Sequence, residues 1–220
     1  GEALFQMPLR TIFRLSALGD NRGVSFDWVR LQRLQLDSLD QTSSGHSFRE
    51  WWDRFHEIHP EYFALQPDGT RAGGENPYPG AGTVKMCMSN PLLWEQWMAD
   101  VEDALEQNPT RQIFGAGSND SWHSGYCICE DCRGWDHPEG ERMTLSWQGV
   151  GQQYVAMSDR QVNFANVLAD RLKERFPDRE LYVGILAYGS SRPPPVEAVP
   201  ADNVIVAGVH SLHRRKSPDH

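Results

Sequence analysis

The chain contains no run of about 18 apolar residues, so we expect no transmembrane helix. It also lacks a basic excess, because 30 Asp and Glu outnumber 21 Lys and Arg and the formal net charge is −9. Nucleic acids and anionic membranes attract basic surfaces, so we expect neither as a partner. No secretory signal peptide, internal repeat or low-complexity tract is visible. These absences favour a globular domain.

The composition agrees with that class. The 220 residues are 39% hydrophobic and 23% charged, which is enough for one domain with a core. Eight tryptophans are a high number for this length. Chains rich in tryptophan often bind sugars, because the apolar face of a sugar stacks on a flat ring. Packing in the core is nevertheless the expected role of most of the eight.

Short apolar runs alternate with amphipathic stretches. A helix is predicted after Asn90-Pro91, an N-cap followed by proline in the first turn, and another over residues 158–176. Ser47 and Ser158 each begin a pattern that predicts a capping box. Residues 134–153 show no clear period and are interpreted as an insertion. Five apolar runs predict strands: Thr11–Leu15, Val84–Met88, Gln112–Ala116, Leu181–Ala187 and Asn203–Val209.

Strands that alternate with helices of this length indicate βα units and a parallel sheet. The predicted fold is therefore α/β, a (β/α)₈ TIM-like barrel that is incomplete or truncated in this chain, since a closed barrel usually needs about 250 residues. Residues 1–45 are interpreted as a segment leading into the barrel. Residues 46–209 would be the barrel portion, with a cysteine-rich loop at 117–136, and residues 210–220 a frayed tail.

The clearest candidate for chemistry follows the predicted strand Gln112–Ala116, where the chain turns into Asn119-Asp120. In α/β enzymes the reacting groups lie just beyond the carboxyl ends of strands. Asp120 could be held protonated by its surroundings and donate to a leaving oxygen, while Asn119 orients a substrate hydroxyl or amide. A simple Asx turn is the alternative. The predicted substrate-binding residues lie in the same loop or at comparable positions: His46, Trp122, His123, Tyr126 and Tyr188.

The four cysteines, Cys87, Cys127, Cys129 and Cys132, predict a metal site. Three thiolates within six residues can surround one tetrahedral zinc ion, with Cys87 as the fourth ligand. Cys87 would reach that loop from the predicted strand Val84–Met88, and His123 could replace it. A catalytic zinc keeps an open position, so four cysteines favour a structural role. Two disulfides in an exported protein are the alternative.

Several of these motifs resemble the family called domain of unknown function 4838, and they occur in that family's order. The resemblance covers roughly residues 46–209. It rests on five segments: His46-Ser47-Phe48, the run HPEYFAL at 59–65, Cys87–Pro91, Ser118-Asn119-Asp120 with Tyr126-Cys127-x-Cys129-x-x-Cys132, and Ala187-Tyr188. The HPEYFAL and cysteine motifs are fairly specific.

The family is similar to glycoside-hydrolase barrels of the α-glucuronidase kind, and some relatives are classed in glycoside hydrolase family 163, which cleaves N-glycans as endo-β-N-acetylglucosaminidases. The resemblance therefore implies a (β/α)₈ barrel and glycan hydrolysis, with substrate-assisted general-acid catalysis as one form. It places Asp120 and Asn119 at the site, with His46 and Tyr188 nearby. It also implies an extracellular or periplasmic location.

Three functions follow from these observations. A glycoside hydrolase acting on a glycan or glycoprotein is the first. A barrel remnant that binds carbohydrate without cleaving it is the second, because no other carboxylate has a context as distinctive as that of Asp120. A zinc-stabilised interaction module is the third. The charge of −9 and the lack of two C-x-x-C pairs argue against it.

Overall fold

The computed structural model describes residues 45–72, 80–121 and 125–208. Short 3₁₀ turns at Pro60–Tyr62, Ala81–Thr83 and Gly189–Ser191 connect its longer elements. In chain order those elements are α1 (Trp51–Phe55), α2 (Pro91–Gln107), β1 (Ile113–Gly115), α3 (Glu130–Arg133), β2 (Arg142–Trp147), β3 (Val150–Val155), α4 (Ser158–Arg175), β4 (Tyr182–Ala187) and β5 (Val204–Gly208).

One parallel sheet has the strand order β1-β4-β5. Ile113 is in register with Tyr182, and Val183 with Val204, so all three strands run the same way. A single parallel bridge joins His46 to Gly117 beyond the end of β1. Because parallel strands end at one edge, the residues that follow β1 and β4 meet there.

The prediction of a (β/α)₈ TIM-like barrel is wrong. In the described part of the chain the parallel sheet has three strands and does not close on itself. Closure requires an unbroken ring of paired strands, each followed by a helix. Between β1 and β4 the chain instead forms the cysteine loop, an antiparallel hairpin and α4. The hairpin strands β2 and β3 pair only with each other, so they add nothing to the sheet.

Three of the predicted strands are confirmed: those at residues 112–116, 181–187 and 203–209 contain β1, β4 and β5. The strand predicted at Val84–Met88 is wrong. Among the residues that the structure describes, its only ladder contact is an antiparallel bridge between Met86 and Phe63. Two backbone bonds flank the bridge, from the Ala64 amide to the Lys85 carbonyl and from the Cys87 amide to the Tyr62 carbonyl. The segment interpreted as an insertion, residues 134–153, contains β2 and the first four residues of β3. The strand predicted at Thr11–Leu15 lies outside the described residues.

The predicted helices are confirmed, but only one predicted cap is. Asn90 caps α2 by accepting a hydrogen bond from the Leu92 amide. The capping boxes predicted at Ser47 and Ser158 are wrong, because neither hydroxyl accepts a hydrogen bond from the first turn of its helix. The Ser47 hydroxyl donates to the Gly45 carbonyl at 2.8 Å. Ser47 Oγ accepts from the Gly117 amide, and Ser158 Oγ donates to the Pro193 carbonyl. Tertiary partners thus replace the local ones that the pattern predicts.

The core lies between the sheet and helices α1, α2 and α4. One face of α4 is fully buried and packs against β4, as the spacing of its apolar residues predicts. Of the described tryptophans, Trp51, Trp52, Trp97 and Trp147 are buried, so they serve the core rather than a sugar-binding surface. No helix in the described ranges is long and apolar enough to cross a membrane.

Candidate functional site

A pocket opens at the carboxyl edge of the sheet, where β1 and β4 end. It encloses about 450 Å³ of space not filled by atoms, part of it open to solvent. About half of its wall is polar, with hydroxyl, amide and charged groups, and the rest is apolar. The lining residues are His46, Lys85, Ser118, Asn119, Asp120, Ser121, Tyr126, Leu145, Gln161, Leu186, Tyr188, Gly189, Ser190 and Ser191.

Asp120 and His46 face each other at this pocket. The Asp120 side chain is 54% exposed, and its Oδ2 lies 3.9 Å from His46 Nε2. His46 Nδ1 lies 2.7 Å from the Ser118 carbonyl oxygen. A carbonyl can only accept, so Nδ1 bears the hydrogen, and the Nε2 of a neutral His46 presents a lone pair toward Asp120. At 3.9 Å the two groups are neighbours without a direct hydrogen bond.

Asn119 is buried, and its side-chain amide is hydrogen-bonded to backbone groups. Its amide nitrogen donates to the carbonyls of Phe48 at 2.9 Å and Val84 at 3.0 Å, and its Oδ1 accepts from the Phe48 amide. These bonds tie together three segments that are remote in sequence. The arrangement gives Asn119 a positioning role, because it fixes the backbone on which Asp120 is mounted.

Lys85 is buried in the wall of the pocket, only 3% exposed. Its ammonium group donates to the Asn119 carbonyl and lies 5.1 Å from the centre of the Tyr126 ring. Burial lowers the pKa of Lys85 to about 8, although the negative charge of Asp120 opposes that effect. Among the described carboxylates, none lies within ion-pair distance of Lys85. An ammonium has three N–H donors, and one of them is accounted for by Asn119.

Aromatic and hydroxyl groups also line the pocket. Tyr126 is buried, and its hydroxyl lies 2.5 Å from Ser190 Oγ. Burial raises the pKa of Tyr126. Tyr188 is 38% exposed at the end of β4, where its ring is accessible to a ligand. The structure thus brings together His46, Asn119, Asp120, Tyr126 and Tyr188, while Trp122 and His123 lie outside the described residues.

The four cysteines form a second site, the cysteine centre. All four sulfur atoms lie within 4.8 Å of one another, and none is in a disulfide. The Cys87 sulfur is 3.7 Å from that of Cys129 and 3.9 Å from that of Cys132. Sulfur atoms around a tetrahedral zinc ion, at about 2.3 Å from it, stand about 3.8 Å apart. The cluster therefore has the dimensions of a four-thiolate metal site.

Hydrogen bonds surround these sulfurs. The Leu65 amide donates to Cys127 Sγ at 3.3 Å, and the Cys132 amide to Cys129 Sγ at 3.4 Å. Ser89 Oγ lies 3.0 Å from Cys132 Sγ. Hydrogen bonds from the thiols of Cys127 and Cys87 lower the pKa of Cys132. Donors of this kind stabilise negative charge on sulfur and orient metal ligands.

A buried ion pair anchors the cysteine loop to α4. The Arg160 side chain is 1% exposed, and its Nε and Nη2 bind the two oxygens of Asp136 at 2.8 and 2.5 Å. Its Nη1 donates to the Cys127 carbonyl at 2.8 Å. The guanidinium group therefore binds both the Asp136 carboxylate at the end of the loop and the backbone carbonyl of Cys127.

A model of the family described as domain of unknown function (DUF4838) matches residues 10–218. The chain belongs to this family. Neither the curated proteins nor the solved structures contain a match to it. The resemblance noted at the motifs is thus confirmed at the level of the family. Glycan hydrolysis by this DUF4838 chain stays a prediction.

Sequence reasoning missed three side chains of the DUF4838 chain. Lys85 interrupts the apolar run Val84–Met88, and a lone lysine in a run interpreted as buried could have indicated a polar environment. Arg160 and Gln161 lie in the first turn of α4, where the pattern predicted a local cap. Gln161 instead donates to the Ala116 carbonyl and accepts from Ser118 Oγ. No local pattern could have indicated those partners.

Proposed function

We propose that the chain is a glycoside hydrolase that binds a glycan in this pocket, with Asp120 as the general acid. The observation that supports it is the convergence of a half-exposed carboxyl group, a histidine and a buried ammonium in a pocket whose wall is about half polar and half apolar. Sugars present hydroxyl groups that such walls bind, and an exposed ring such as that of Tyr188 suits their apolar faces. The pocket is lined by five of the seven residues predicted from sequence to act on substrate, and the other two, Trp122 and His123, lie outside the described residues.

In the proposed reaction a protonated Asp120 gives its proton to the glycosidic oxygen as the bond from that oxygen to the anomeric carbon breaks. The departing alcohol leaves with that proton. The Asp120 carboxylate then takes a proton from the water that bonds to the anomeric carbon, which restores the acid.

The finer proposal is an endo-β-N-acetylglucosaminidase that uses substrate assistance. Asp120 is the only Asp or Glu among the described residues that line the pocket. A mechanism with two enzyme carboxylates needs a second one near the sugar. When the acetamido oxygen of the substrate bonds to the anomeric carbon, the enzyme does not have to supply a nucleophile. The single carboxylate therefore favours the substrate-assisted form.

The same observation favours a second candidate, a pocket that binds carbohydrate without cleaving it. A lone carboxylate can accept hydrogen bonds from sugar hydroxyls with no transfer of a proton. Asn119, Lys85 and Tyr188 would then form a binding site of fixed shape.

A cleavage screen tests these alternatives. The purified chain is incubated with N-glycoproteins and with aryl N-acetylglucosaminides and glucuronides, beside Asp120→Asn. Asp53→Asn serves as the matched control, because Asp53 is an exposed carboxylate on α1 outside the pocket. We expect cleavage that falls about a hundredfold or more in Asp120→Asn and is unchanged in Asp53→Asn.

Each other result has a defined meaning. Cleavage that survives in Asp120→Asn would contradict the assignment of the general acid. Saturable binding of the same glycans without cleavage, weakened in Asp120→Asn, would establish the second candidate. A chain that neither binds nor cleaves these glycans would contradict both candidate functions.

We also propose that the cysteine centre binds one structural zinc ion. Four thiolates without an open position are typical of structural rather than catalytic zinc, and the distances between the sulfurs fit that ion. Thiol counting under denaturing conditions with metal analysis should give four free thiols and about one zinc per chain. An oxidised, metal-free chain would mean disulfides instead.

A further inference from the structure

Two short segments contribute to both the pocket and the cysteine centre. In the first, Lys85 lines the pocket and Cys87 lies two residues later. In the second, Tyr126 lines the pocket and Cys127 is the next residue. Lys85 also stacks on Tyr126, so the two segments touch on the pocket side as well as through their sulfurs. A shift of either cysteine therefore moves a pocket residue.

Both segments are fastened to the same stretch of backbone, residues 62–65. The Cys87 amide donates to the Tyr62 carbonyl at 2.8 Å, and the Ile128 amide donates to the Leu65 carbonyl at 3.0 Å. The Leu65 amide in turn donates to Cys127 Sγ. One sulfur is thus part of the hydrogen bonding that aligns the two segments.

A third connection runs through α4. Arg160 holds the Cys127 carbonyl, and the next residue, Gln161, holds the loop after β1 through the Ala116 carbonyl and Ser118 Oγ. Asp120 follows in that loop. The cysteine centre and the loop that contains Asp120 are therefore hydrogen-bonded to adjacent residues of one helix turn, Arg160 and Gln161.

We propose that the cysteine centre is a positioning element of the pocket, and that metal bound by its four sulfurs sets the places of Lys85 and Tyr126. Without metal, thiols are only weak hydrogen-bonding groups and cannot hold two segments in fixed register. With metal, four bonds join them in one geometry. The consequence is that metal and pocket ligand each raise the affinity for the other, because binding energies are reciprocal.

Hydrogen exchange measured by mass spectrometry tests this on the whole chain with no glycan present. The zinc-loaded protein, with its metal content verified, is compared with the same protein after a chelator has removed the metal. The pocket is reported by peptides covering residues 45–48, 117–121 and 188–191, which contain no cysteine. Peptides within α2 (95–105) and the second half of α4 (166–174) are the internal controls.

We expect amides in the pocket peptides to exchange about tenfold faster after metal removal, with the controls unchanged within about twofold, as a local opening requires. Cys129→Ser should reproduce the effect in part. Glu130→Gln, an exposed residue between the cysteines, should bind zinc and exchange like the parent.

Three results would overturn the proposal. Faster exchange confined to residues 87–90 and 127–132, with residues 84–86, 125–126 and the pocket peptides unchanged, would make the centre a separate structural site. Equal acceleration in the control helices would make the metal a general source of stability. If the cysteines of the purified chain bind no added zinc, no bound metal positions Lys85 and Tyr126, and the proposal is wrong. None of these outcomes depends on whether the chain cleaves glycans.

Discussion

The pocket and the cysteine centre are built in opposite ways. Three of the four sulfurs come from six consecutive residues and are mostly buried. The pocket draws on segments near residues 46, 85, 119 and 188, and its central carboxylate is more than half exposed. A site made mostly by one local segment can be recognised in the sequence. A site made by several distant segments exists only when the chain is folded. The same contrast predicts where substitutions are costly.

The largest effect is expected at the anchor of the cysteine loop. Arg160→Met removes a guanidinium and leaves the Asp136 carboxylate, 15% exposed, without its partner. Breaking a buried pair in this way should lower the free energy of unfolding by about 3–5 kcal/mol. Denaturant unfolding measures it. Arg54→Met is the control, because Arg54 and Asp100 pair near the surface, where such a pair contributes about 0–1 kcal/mol. Equal losses in the two variants would contradict the buried anchor.

On the pocket side, two neighbours should behave in opposite ways. Asn119→Ala leaves the Phe48 amide and the Val84 carbonyl without partners, and the Phe48 carbonyl keeps only its bond from the Trp51 amide. We therefore expect the free energy of unfolding to fall by about 3 kcal/mol. Asp120→Asn should change it by only about 0.5 kcal/mol, since the side chain is exposed. Thermal unfolding at one pH measures both. A stability loss in Asp120→Asn as large as that in Asn119→Ala would mean that Asp120 also has a structural role.

A smaller effect, dependent on pH, is expected at Asp159 in the first turn of α4. Burial alone would raise the pKa of Asp159, but hydrogen bonds from the amides of Ala198, Val196 and Glu197 lower it below its usual value. A carboxylate whose pKa is lowered by folding stabilises the fold above its unfolded pKa, about 3.9, and that stabilisation is lost as pH falls through the folded pKa.

Asp159→Asn should therefore lower the free energy of unfolding by about 2 kcal/mol at pH 7. The difference from the parent should shrink as the pH is lowered below about 4. Denaturant unfolding at a series of pH values measures this. A difference that is the same at every pH would show that the charge of Asp159 contributes nothing.

The smallest effect is expected at Ser47, the residue after His46 of the pocket wall. Ser47→Ala removes the acceptor of the Gly117 amide but keeps the backbone bond from the Ser47 amide to the Gly117 carbonyl. We expect a loss of about 1 kcal/mol in the free energy of unfolding. Glu50→Ala tests the capping box that the pattern predicted. A loss there equal to that in Ser47→Ala would restore the local cap.

Sequence reasoning recovered the parts of the site that depend on short spacing. The positions of Asp120 and Tyr188 after β1 and β4 followed from the end of each apolar run, and the parallel sheet brings both into one pocket. The joining of Cys87 to the other cysteines is confirmed, but the reason given was wrong. Cys87 is held by antiparallel pairing with residues 62–64 and not by a strand of the parallel sheet.

By itself the sequence determined β1, β4 and β5, the two long helices, the cap at Asn90 and the composition of the cysteine centre, because each depends on residues a few positions apart. Only the tertiary structure decided that the sheet stays open, that residues 142–155 form a hairpin, and that Lys85 and Arg160 are buried. The physical reason is that strand closure and the burial of charge depend on partners far along the chain. No pattern of neighbouring residues specifies those partners.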